Sequence, residues 1–76
     1  MEIKTEQSKD LHGKVHRIDG FIGDEIKYTF FIDVDTNEVS NIRGFGPKTK
    51  EEQACLDKCR LHIFKIISPE AYFTLG

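Results

Sequence analysis

The chain has 76 residues, with 11 basic and 13 acidic side chains, a net charge of −2 and two cysteines. That is enough for one small domain with a thin core, and too evenly charged for a global attraction to nucleic acid or anionic membrane. No apolar run approaches a bilayer span, the opening MEIKTEQSKD has no apolar signal-like stretch, and two cysteines are too few for a secreted disulfide framework, so the expectation is a cytoplasmic protein with reduced thiols and no membrane contact.

In chain order, residues 1–10 are polar and of mixed charge, and read as a flexible lead-in with Ile3 as a candidate for a short strand. The rest, 11–76, reads as one domain. Residues 13–22 alternate well enough for a half-buried strand, and Gly20, Gly23 and Asp24 mark a turn. The clearest strand is 25–35, where Ile26, Tyr28, Phe30, Ile32 and Val34 share a face at period two. DTNE (35–38) is the next turn, with Asn37 suited to the left-handed region. A third strand covers 38–45, ended by Gly44, Gly46 and Pro47. Thr49 followed by Glu52 is a capping-box signature, and opens a helix over 49–67 that Ser68-Pro69 stops. The tail 71–76 is apolar and reads as packing back or as a short edge strand. The predicted class is α+β: a three-stranded antiparallel sheet with one helix across a face.

The cysteines fall on that helix. At 100° per residue, Glu52, Cys55, Leu56, Cys59, His62, Ile63, Ile66 and Ile67 lie within an arc of about 140°. Free cysteine packs as a small buried hydrophobe, so the plain reading of Cys55 and Cys59 is core. The sharper reading is zinc held by Cys55, Cys59 and His62, with His12 or His16 as a fourth ligand. It lacks the second compact ligand pair of structural zinc sites. A redox role lacks the C-x-x-C spacing. No cofactor is expected. Ala54, Leu61 and Phe64 make a weaker apolar stripe on the other side of the helix, to be covered by the tail or by a partner or second copy.

DVDTNE (33–38) offers Asp33, Asp35 and Asn37 at alternate positions but places Glu38 where a calcium loop needs glycine. It reads as a solvated hairpin tip. Ser40 and Ser68 have no recognisable base, and the expectation is a non-enzyme. RGFGPKTK (43–50) brings Arg43, Lys48 and Lys50 to a helix start, where free N–H groups favour anions. Lys14 and Arg17 are candidate supports, and a phosphate backbone would suit such a patch. Residues 19–38, in contrast, hold six acids against Lys27 alone, a distribution suited to a basic protein surface.

The run YTFFIDVDTNEVSNIRGFGPKTKEEQACLDKC resembles the end of small strand-strand-strand-helix modules that bind nucleic acid. In the double-stranded-RNA-binding domain, a Gly-x-Gly turn followed by Ser-Lys-Lys opens an Ala-rich helix, and Gly44, Gly46, Thr49 and Lys50 match it in kind. Glu51 departs from the second lysine, an extra residue precedes the cap, and that family's long first helix has no room here. The arm-type domain of tyrosine integrases is similar over about residues 13–67, with three strands and a T-K-E-E-A-like helix start. By size, acidity and absence of catalytic residues the chain is also similar to small phage-encoded inhibitors of host defence.

Three functional expectations follow. The first is a protein-binding module, of the inhibitor type carried by phages or mobile elements, that meets its partner through Asp33, Asp35, Glu38, Leu61 and Phe64. The second is nucleic-acid binding through Arg43, Lys48 and Lys50, with Lys14 and Arg17. The third is a small zinc-stabilised domain built on Cys55, Cys59 and His62.

Overall fold

The structure, a computed structural model, describes residues 2–67. Four strands, β1 (Ile3–Lys9), β2 (Val15–Ile22), β3 (Glu25–Asp33) and β4 (Glu38–Arg43), precede one helix, α1 (Lys50–Ile67). The strands form an antiparallel meander in the order β1-β2-β3-β4, and α1 lies across one face. The α+β class and the helix follow the expectation from the sequence. The sheet, however, has four strands where three were expected, because residues 3–9 pair with β2 along their whole length. The reading of the tail 71–76 lies outside the described residues.

Each turn has a local cause. Gly23 takes φ 64° in the two-residue link between Ile22 and Glu25, the first-position glycine of a type II′ hairpin. Asn37 takes φ 60°, as its tolerance of the left-handed region predicts. Asp33 shapes the same turn: its Oδ1 accepts the N–H groups of Asp35 and Thr36 at 3.0 and 3.4 Å. At the helix start, Thr49 Oγ1 accepts the Glu52 N–H at 3.1 Å while Glu52 Oε1 accepts the Lys48 N–H at 2.9 Å. This is a capping box whose return bond lands one residue before the cap.

The core is the layer between α1 and the sheet. Ile18 and Ile22 of β2, Tyr28, Phe30 and Ile32 of β3, and Cys55, Leu56, Cys59 and Ile63 of α1 are buried, with Ile3, Ile66 and Ile67 packed against them. The helical stripe is the one that the 100° spacing defines. Two details differ from simple alternation. Between β2 and β3 the register slips, from Gly20 opposite Tyr28 to Phe21 opposite Ile26. The extra residue, Lys27, turns Ile26 to the outer face with Phe21. And Gly20 lies mid-strand rather than in a turn: a Cβ there would stand 2.5 Å from Cys59 Sγ and 2.8 Å from Cys55 Sγ. Only glycine leaves room for the two sulfurs.

The helix is off-centre. It packs on β2, β1 and β3 and does not reach β4. The two edges of the sheet are therefore in different situations.

Candidate docking surface at the sheet edge

Of the three groups of residues singled out by sequence, the thiol–imidazole set is used by the fold. Cys55 and Cys59 are fully buried. Burial raises both thiol pKa values, with Cys59, further raised by its neighbour Cys55, pushed up to about 12, so both stay protonated at neutral pH. His62 turns toward β1. Gln7 Oε1 can only accept, so His62 Nε2–H donates to it at 2.8 Å, and His62 Nδ1 accepts from the Thr5 hydroxyl at 2.9 Å. The Gln7 amide N–H then donates to His16 Nδ1 at 2.6 Å. Burial, with Lys65 nearby, holds His62 below its ordinary pKa, consistent with this neutral, fully bonded ring. Among the described residues, no group of three or more His, Cys, Asp or Glu is placed to hold a metal.

The proposed protein-binding set divides. Asp33, Asp35 and Glu38 stand at the β3–β4 hairpin, but Asp33 is committed to the turn. Phe64, half-buried, follows Leu56 and Arg60 at four-residue spacing on the helix flank nearest β4. Leu61 lies on the other flank, beside β1, in a cavity of about 340 Å³ with Thr5, Lys58, His62 and Lys65. The basic set divides too. Arg43, Lys48 and Lys50 gather at the end of β4 and the start of α1. Lys14 is at the opposite end of the sheet, where its carbonyl accepts from the Val34 N–H. Arg17 is ion-paired with Asp19 on the outer face at 3.0 Å, and Asp19 also accepts from the buried Thr29 hydroxyl at 2.8 Å.

What the sequence reading did not single out is β4 itself as an edge. All six of its residues are exposed. Val39 is 42% and Ile42 57% exposed, and Phe45, just beyond, is 92% exposed. Charge stands only at the two ends, Glu38 and Arg43, with no lysine or proline between. The other edge, β1, is defended as natural edges are: Lys4, Glu6 and Lys9 are spaced along it, and Lys58 Nζ donates to the Ile3 carbonyl at 2.7 Å. The contrast between an uncharged stretch, residues 39–42, and the charges along residues 4–9 was the available sequence signal.

Between β4 and α1 runs a groove. Its larger part, about 380 Å³, has Tyr28, Phe30, Phe45 and Leu56 as apolar walls and Arg60 at the rim. A contiguous part of about 220 Å³ reaches Lys27, Lys48 and Glu52. Gly44 makes the turn into it: at φ 92° a Cβ would stand 2.5 Å from both the Lys27 carbonyl oxygen and the Tyr28 ring. Arg43, Lys48 and Arg60 enter none of the ion pairs among the described residues. The β4 side therefore carries acid at its hairpin end, apolar side chains in the middle and unpaired cations at its far end.

No family model, no curated protein and no solved structure matches the chain. Among the described residues, no helix is long and apolar enough to cross a membrane.

Proposed function

We propose that this chain is a non-enzymatic protein-interaction module that docks through its β4 side. The observation that carries the reading is the asymmetry of the sheet: α1 and interspersed charges protect β1, while β4, paired among the described residues with β3 alone, presents exposed Val39, Ile42 and Phe45 beside an apolar groove. Sheet edges of this kind take extended segments by backbone pairing, with alternate side chains entering the adjoining pockets. The buried high-pKa thiols and the hydrogen-bonded histidines support the non-enzymatic part. Similarity in size and acidity to phage-encoded inhibitors supports a partner of the host-defence kind.

Phosphate binding at Arg43, Lys48 and Lys50 is the second reading. Those three cations favour it. The separation from Lys14 and Arg17, and the acidic hairpin on the same edge, weigh against it.

The test is affinity capture with the wild-type chain and with the double variant Phe45→Ala/Arg60→Ala, which strips the groove rim at two exposed positions. A protein held by the wild type and lost by the variant, with the circular dichroism spectrum unchanged, is the expected result. A partner held equally by both would remove the groove from the account.

A further inference from the structure

The edge strand β4 has an unusual relation to itself. Glu38 opposes Asp33 and Arg43 opposes Thr29 on β3. Asp33 and Thr29 are four apart and share the outer face. Glu38 and Arg43 therefore share that face too, although a spacing of five would separate them in a regular strand. The irregularity between Asn41 and Arg43, where Ile42 is the extra residue, does this.

The consequence appears when β4 meets a second β4 running antiparallel. A two-fold axis through Ser40 places Ser40 opposite Ser40 of the second copy, and Val39 opposite its Asn41, both on the helix face. Glu38 then faces the bulged pair Ile42–Arg43 of the second copy. Carboxylate meets guanidinium on the outer face, and symmetry makes the pair twice. Further out, the hairpin carrying Asp35 comes against the loop carrying Lys48. Among the described residues the approach is clear, since α1 stays over β1, β2 and β3.

We propose that the β4 edge binds a second copy of this chain, forming a continuous eight-stranded antiparallel sheet held in register by reciprocal Glu38–Arg43 pairs. The assignment rests on the reading of β4 as a docking edge and names its occupant. An axis perpendicular to the sheet keeps both helices on one face. With strands about 4.8 Å apart, the β2 strands beneath the two helices lie roughly 24 Å from each other. The two grooves then join in one trough floored by β4 of both copies, and an outside partner meets that trough.

Sedimentation velocity tests the assignment, using full-length wild type, Glu38→Arg, Arg43→Glu, and the two variants mixed. Wild type is expected to dimerise. Each single variant puts like charges face to face twice, and its dimer is expected to weaken at least about tenfold. The equimolar mixture restores opposite charges at both places, so a heterodimer of near wild-type strength is expected. The double swap Glu38→Arg/Arg43→Glu should likewise dimerise.

A wild type that stays monomeric into the millimolar range overturns the proposal. So does a dimer indifferent to both single variants, which would put its interface elsewhere. Nuclear Overhauser contacts in the free protein between β4 and any residue after Ile67 would give the edge to the chain's own end, and would also overturn it. The first two outcomes leave the docking reading of the β4 side standing, since the Phe45→Ala/Arg60→Ala capture decides it; the third would also close the edge to an extended partner segment.

Discussion

Gly20 is the residue on which the core turns. In a strand interior glycine is otherwise a poor choice, entropically costly and without a side chain to pack. Here the missing Cβ is replaced by two sulfur atoms from α1, and Cys55 Sγ also donates weakly to the Phe21 carbonyl at 3.8 Å. The cysteines act as fillers of the right volume where the helix comes close to β2 at Gly20. Gly20→Ala is expected to lower stability by about 1–3 kcal/mol through overpacking, read as a lower urea midpoint. In a Cys59→Ala background the same substitution meets one sulfur fewer, and its penalty should shrink. Equal penalties in the two backgrounds would show that the strand, not the sulfur contact, sets the need for glycine.

At the scale of elements, α1 was legible because three independent signals agreed: the Thr49/Glu52 cap, the stripe from Cys55 to Ile67, and Ser68-Pro69 beyond it. Removing the cap hydroxyl with Thr49→Ala should cost about 1 kcal/mol, measured by urea unfolding, with little change in the native helical signal. The strands β2, β3 and β4 were legible from β-branched and aromatic residues between turn signals. β1 was not. Only Ile3 supplies an apolar residue on its helix face; Thr5 and Gln7 occupy the next two positions and are satisfied by His62 and His16. A strand bonded to a helix through polar side chains leaves no hydrophobic period to read. The bulge at Ile42 was equally silent, since a change of face leaves no trace in composition. The docking edge was half legible: the basic loop and acidic hairpin stood out, but which strand is outermost depends on pairings that one chain's pattern does not state.

For the molecule as a whole, His62, bonded to Gln7 and Thr5 across the helix–sheet contact, links stability to pH. His62 is held below its ordinary value of 6.5 by burial and by Lys65, so between the two pKa values the unfolded state binds more protons than the folded one. The contribution is fully present above about 6.5 and is lost as pH falls toward the folded-state value. The urea midpoint should therefore decline on acidification from neutral pH. His62→Gln, which keeps a polar side chain but cannot titrate there, should flatten the decline over that window. An identical profile in the variant would assign the acid sensitivity to the carboxylates.

The same chain of bonds also bears on the order of events in folding. Each strand pairs with its neighbour in sequence, so three hairpins can close over short loops and should form early. β1 is the exception to this local economy. Thr5 finds its helix partner 57 residues later, and the Ile3 carbonyl finds Lys58 55 residues later. The strand of this sheet that is synthesised before the other three is thus among the last to be secured, and until α1 arrives its edge has only Lys4, Glu6 and Lys9 to keep it from pairing with another chain.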